Sequence, residues 1–321
     1  KGLPVFIGEM ESIRGKFSED EIQRAIIDAE DEMLKNGIVG VGDICNSDFS
    51  FSQKSKRRIR YHTFIEALGF HPDKAEAAFE KCLELYQKYI TYFRPSQLNL
   101  TGSSVTQTKA ANLSGFSITP HAPYSASQKL LKKISDFALE NHSILSIHNQ
   151  ENEDENKMFL EGKGKILERL KLLGIDISQW KATGKNSLQS IFHQLPDRNK
   201  ILFVHNTFTT KEDFDWLAAY CPLTVLWGPT TNLFFCFCPN ANRYIENRLP
   251  DFQMFVNEKC KITVGTDSLA SNWSLSILDE LKTISMNAPE IPLNKILSWA
   301  TKNGAEFFGW ENELGTFEKG Q

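Results

Sequence analysis

Val264-Gly265-Thr266-Asp267-Ser268-Leu269-Ala270-Ser271-Asn272 is an apolar run that stops at an aspartate and then turns polar. Two runs upstream stop on histidine in the same way, Ile144-Leu145-Ser146-Ile147-His148 and Ile201-Leu202-Phe203-Val204-His205. Short apolar, β-rich runs of this kind read as buried strands of a parallel sheet. The position just past such a strand is where an α/β protein carries its chemistry. Two imidazoles and a carboxylate delivered by three strands can meet around one point, and these side chains ligate a borderline metal ion. A metal-dependent hydrolase is the first expectation.

Outward from these runs, strand and helix patterns alternate. Ser18-Glu19-Asp20-Glu21 is a capping box opening a helix that carries Ile22, Ala25, Ile26, Ala29 and Met33 on one face and ends at Asn36-Gly37. Strands are expected at 37–44, 60–66, 115–119, 144–148, 201–205, 223–227 and 262–266, and helices at about 74–92, after Ser127, from the acidic stretch Glu151 to Glu155 through Leu173, after Thr209-Thr210-Lys211-Glu212, and over 293–308. Seven strands alternating with helices predict a parallel sheet covered by helices, and a (β/α) barrel one member short of eight. Leu3-Pro4-Val5-Phe6-Ile7 is a candidate eighth strand, weakened by its proline and its shortness. With no internal repeat, low-complexity segment or linker, residues 1–321 are read as one barrel domain.

The 321 residues are enough for a large buried core, and a formal charge of −4 gives no general attraction to nucleic acid or to an anionic membrane. Lys54, Lys56, Arg57, Arg58 and Arg60 are expected to form a solvated loop entering a strand. The six cysteines show no CxxC pair or regular spacing and read as reduced thiols; no signal peptide, membrane-length apolar run or lipidation motif is present. Cytoplasmic location is the expectation.

His148-Asn149-Gln150-Glu151 places a carboxylate three residues beyond a strand-end imidazole. The imidazole can hold a metal while the carboxylate moves a proton to or from its water. Taken singly, Glu151 reads more readily as part of a solvated helix start and His205 as a core histidine, and Asp267 equally as an Asx turn or helix cap. His121, between Pro120 and Pro123, reads as a rigid substrate contact. Glu66, at the end of its strand, faces the same mouth and is a secondary candidate for substrate recognition. Asn240 and Asn242 are assigned to a loop, where they either bind polar substrate atoms or serve the turn. Phe234, Phe235 and Phe237 in that loop read as packing. His62, His71, His142 and His193 are assigned no role.

In order, His121-Ala122-Pro123-Tyr124-Ser125, His148-x-x-Glu151, Val204-His205-Asn206-Thr207, Cys238-Pro239-Asn240-Ala241-Asn242 and Gly265-Thr266-Asp267-Ser268 resemble the amidohydrolase superfamily. The similar branch holds the cytosine, guanine and aminodeoxyfutalosine deaminases and the triazine chlorohydrolases. Ala300 to Glu306 and Leu314 to Gly320 are similar to that family's closing pattern, where the chain leaves the barrel for a small β-sandwich. The resemblance runs from about Glu21 to Gly320. It implies a hydrolytic deaminase of an aminated heterocycle, with removal of chloride or opening of a cyclic amide as alternatives. By the same resemblance, His148 and Asp267 are metal ligands, and His205 is a ligand or touches the water or substrate. Glu151 moves a proton and Asp267 takes one from water. From their positions rather than from the resemblance, His121, Glu66, Ser268, Asn240 and Asn242 are the expected substrate contacts. One divalent ion is implied, zinc ahead of iron, with a small heterocyclic partner.

The family's first strand ends in His-x-His, and no His-x-His occurs in this chain. Lys1 begins just beyond that strand and Gln321 stops where the β-sandwich would resume, so a chain trimmed at both ends, or a degenerate paralogue, is expected. With His148 and Asp267 as the firm ligands, metal binding is expected to be weak or absent and activity low, because catalytic zinc sites ordinarily have three protein ligands. The competing expectation is a metal-free binding or scaffold protein on the same barrel. Dimerisation at the open strand edge is a further expectation.

Overall fold

The structure, a computed structural model, describes residues 2–13, 15–93, 114–220 and 232–318. Seven strands are found among these residues: β1 (Gly40–Cys45), β2 (Arg60–Ala67), β3 (Ser114–Pro120), β4 (Leu145–Asn149), β5 (Ile201–His205), β6 (Leu233–Phe237) and β7 (Lys261–Val264). All pairings are parallel and follow chain order, β1-β2-β3 in one sheet and β4-β5-β6-β7 in the other. This is the α/β architecture the alternation predicts. The sheets meet at β3 and β4, where His148 N donates to the His121 carbonyl at 2.9 Å and Ser146 N donates to Thr119 Oγ1 at 2.8 Å. β1 and β7, each paired on one side among the described residues, line a common cavity of about 750 Å³.

Strand side chains alternate between two apolar layers, as the period of two requires. Ile65, Ile118, Ile147, Phe203, Phe235, Phe237 and Ile262 pack into the large cluster beneath the helices. Phe64, Leu202, Phe234, Cys236 and Cys238 point the other way and meet Phe307 from the helix Lys302–Phe308. Burying each phenylalanine contributes about 2 kcal/mol, so this inner layer fixes the strand faces and hence the strand ends. Close packing also explains Gly42: a Cβ there would meet the Phe308 ring at 2.6 Å.

Local signals place most helices. Ser18 and Glu21 form the expected capping box on Glu19–Lys35, and Ser127 accepts from Leu130 N to start Gln128–Asn141. Four expectations are corrected. Leu3–Ile13 is a helix, not a strand, its Pro4 lying in the first turn where a missing N–H costs nothing. Phe234, Phe235 and Phe237 belong to a fully buried strand, and Asn240 and Asn242 to the helix Pro239–Glu246, rather than to a loop. Lys54 is buried, its ammonium 2.5 Å from Asp43 Oδ2 and 2.9 Å from Thr63 Oγ1, rather than solvated. The closing helix is divided at Thr301 into Leu293–Ala300 and Lys302–Phe308. The strand expected at 223–227 lies outside the described residues.

Candidate active site

The residues just past β4, β5 and β7 share a backbone peculiarity. Gln150, His205, Asn206 and Asp267 all take positive φ, between 45° and 75°. For residues with a Cβ this costs about 1–3 kcal/mol and persists only where surrounding contacts over-determine it. Here a buried polar lattice does so. Asn149 Nδ2 donates to Asn206 Oδ1 at 3.0 Å, and Asn206 Nδ2 donates to the Phe203 carbonyl at 2.9 Å. Gln150 N donates to Glu155 Oε1 at 2.9 Å and Gln150 Nε2 to Asp213 Oδ2 at 3.0 Å.

The lattice aims three imidazoles into one row. The His121 and His148 rings are 4.7 Å apart, and the His148 and His205 rings 5.3 Å. His148 Nδ1 donates to the His121 carbonyl at 2.8 Å. Ser125 Oγ donates to the Ala122 carbonyl at 3.1 Å, so at its 2.6 Å contact with His121 it accepts the Nδ1 proton. His205 Nδ1 donates to Asn242 Oδ1 at 2.9 Å. Each ring is therefore held through Nδ1, with Nε2 left as a lone-pair donor; this outer hydrogen bond is how metal-ligating histidines are oriented. Burial supports the neutral form, pushing His121 down to about 4 and lowering His205 as well.

Two carboxylates face the row. Glu66 Oε1 lies 3.7 Å from His148 Nδ1 and is a buried oxygen without a hydrogen-bond partner. Glu66, His121 and His148 each offer a ligand atom, all within 4.8 Å of one another. Two nitrogens and an orphaned carboxylate oxygen are a donor set that fits a divalent ion such as zinc. Glu151 Oε1 is 3.7 Å from His205 Nε2, and burial raises its carboxyl to about 8, which favours the protonated form.

The other candidate residues stand further out. Asp267 is exposed, accepting from Ser268 N at 2.7 Å and Ser271 Oγ at 2.8 Å. It lines the same cavity as His148, His205 and Ser268. Asn240 Oδ1 accepts from Thr283 Oγ1 at 2.6 Å, and Asn240 N donates to Glu280 Oε2 at 2.8 Å, so its amide braces the helix Ile277–Asn287. Asn242 gives its Oδ1 to His205, and its Nδ2 is buried without a hydrogen-bond partner. The closeness of Glu66 and His121 to His148 is not visible in their separate strands; it follows from β2, β3 and β4 being neighbours.

The amidohydrolase family profile matches residues 10–321. This chain belongs to the amidohydrolase family. Among its relatives, an adenosine deaminase of Helicobacter pylori is 27% identical over 303 residues, covering 91% of this chain and 65% of that protein. An adenosine deaminase structure from Xanthomonas campestris, with bound zinc, superposes with a TM-score of 0.74 at 16% identity, over 99% of this chain and 64% of the other. The aminofutalosine deaminase structure of Helicobacter pylori gives 0.69 at 22% identity, over 93% and 67%. The first-ranked curated relatives are longer, and this amidohydrolase-family chain spans 65% of one and 40% of the next.

Proposed function

We propose that this chain carries the active site of a metal-dependent hydrolase that deaminates an aminated N-heterocycle, with the 6-amino group of an adenine nucleoside as the bond cleaved. The observation that carries it is the buried Glu151 carboxyl, its Oε1 3.7 Å from His205 Nε2, beside a row of imidazoles held through Nδ1. Related proteins named for adenosine, 5′-deoxyadenosine and methylthioadenosine deamination support the substrate class, because those compounds share that amine. When bound, a divalent ion, zinc ahead of iron, supplies a water of lowered pKa as nucleophile. His148 would hold it, with Glu66 and His121 as further donors in the same group and His205 and Asp267 as the alternative pair. Glu151 gives its proton to the ring nitrogen next to the attacked carbon. Asp267 or His205 would take one proton of the attacking water and pass it to the departing amine, which leaves as ammonia, while the proton of the added hydroxyl returns to Glu151 as the carbonyl forms. Ser268 and whichever of Glu66 and His121 is free of metal orient the substrate.

The two sheets are read as arcs of one (β/α) barrel, residues 1–321 as one domain, and a second copy at the β1 and β7 edges as a dimer contact. A cytoplasmic enzyme acting on a small molecule fits the −4 charge, and no described helix is long and apolar enough to cross a membrane. The test is ammonia release, with the ultraviolet change of adenine to hypoxanthine, from the protein expressed from its complete reading frame. Release that needs divalent metal and is lost in Glu151→Gln supports the reading; no release from any 6-aminopurine nucleoside overturns it.

A further inference from the structure

Two thiols stand outside this scheme. Cys236 and Cys238 are two apart where β6 ends, so their side chains leave the same face of the strand. Both belong to one buried apolar cluster, and Cys236 Sγ donates to the Phe237 carbonyl at 3.8 Å. Both line the cavity between β1 and β7, and both are buried. Across from them Gly265 leaves room: a Cβ there would lie 3.3 Å from one sulfur and 3.6 Å from the other. The remaining free cysteines described, Cys45, Cys82 and Cys260, line no part of that cavity.

We propose that Cys236 and Cys238 form a dithiol site for thiophilic species that take two sulfurs at once, soft d10 cations and trivalent arsenicals. Soft thiolate pairs select such ions over harder ones. The neighbouring Cys236 thiol, and after it burial, push the Cys238 thiol well up, which slows one-point alkylation and leaves chelation as the route by which the pair is engaged. With an arsenoxide the step balances without an oxidant. Two As–S bonds form, the As=O bond breaks, and the two thiol protons leave with its oxygen as water.

Resting on the proposed function, chelation also disturbs the active site. Cys238 directly precedes the helix Pro239–Glu246, whose Asn242 holds His205, so a bridged Cys238 shifts that hydrogen bond. The binding test reads mass and not turnover, so the two readings fail separately.

The protein expressed from its complete reading frame is treated with phenylarsine oxide and mapped by peptide mass. The expected adduct bridges Cys236 and Cys238, survives a monothiol such as 2-mercaptoethanol, and is released by 2,3-dimercaptopropanol. It is lost in Cys236→Ser and in Cys238→Ser and kept in Cys82→Ser. An adduct on any other cysteine, or one retained by either single variant, overturns the site. If the serine variants do not fold, protection decides. The arsenical must shield both thiols, and no other cysteine, from N-ethylmaleimide added after denaturation; shielding elsewhere, or none, overturns it.

Discussion

His205 donates its Nδ1 proton to Asn242 Oδ1 at 2.9 Å, and both side chains are almost wholly buried. The contact joins the end of β5 to the helix after β6 and leaves His205 Nε2 turned toward Glu151. A backbone at φ 75° needs such a restraint.

Asn242→Ala frees the His205 ring and leaves its Nδ1–H without a partner. Losing such an outer hydrogen bond costs about 10–100-fold in activity or metal affinity. We expect kcat to fall in that range and KM to change little, with Asn242→Asp recovering most of the loss. An unchanged kcat in Asn242→Ala would show that His205 needs no orienting partner.

Glu151→Gln removes the buried proton while keeping the side chain's size. General acid–base groups contribute about 100–10,000-fold, so kcat drops by that order. Bound metal, measured by elemental analysis, stays at the wild-type level because Glu151 lies outside the Glu66, His121 and His148 group. Metal loss in parallel with activity would make Glu151 a ligand instead.

Two sets of metal partners for His148 remain to be separated. Glu66 Oε1 is buried and unpartnered, whereas Asp267 is exposed and accepts from its own loop. Glu66→Gln is therefore expected to weaken zinc retention more than Asp267→Asn does, with competition against a chromophoric chelator as the readout. The reverse order would place the ion on the His205 and Asp267 side and return Glu66 to substrate recognition.

How far the sequence could be read depended on whether each signal was local. The strand-end histidines, the Ser18 and Ser127 caps and the His148-x-x-Glu151 spacing are local, and the structure has each where the pattern puts it. The grouping of Glu66 with His121 and His148 depends on three strands lying side by side, which no short spacing encodes. β6 was missed because Leu233-Phe234-Phe235-Cys236-Phe237 is apolar throughout and has no period to separate strand from packed loop. Asn242 looked like turn chemistry because its partner, His205, is 37 residues away in sequence. Lys54 sits in a basic run that reads as solvated until Asp43 and Thr63 are seen around its ammonium.

Acid stability has an identifiable titrating group. His62 is buried, its Nε2 3.0 Å from Ser117 Oγ, and burial pushes it down to about 3. The unfolded chain binds a proton near pH 6.5 and the folded chain does not, so this group's contribution is whole above that pH. It is lost as pH falls from 6.5 toward 3, at roughly 1 kcal/mol per unit. Denaturant titrations of His62→Gln from pH 7 to 4 should give a shallower decline than wild type. Parallel slopes would assign acid sensitivity to other groups.

The central claim is a metal-dependent deaminase, and it is tested most directly by metal content measured beside turnover. The protein is expressed from its complete reading frame, purified without chelator, and assayed on adenosine and methylthioadenosine. The account predicts about one divalent ion per chain, with ammonia release that disappears on chelation, returns with zinc, and is absent in His148→Ala. A protein that binds no metal, or releases ammonia equally well after chelation, would contradict it.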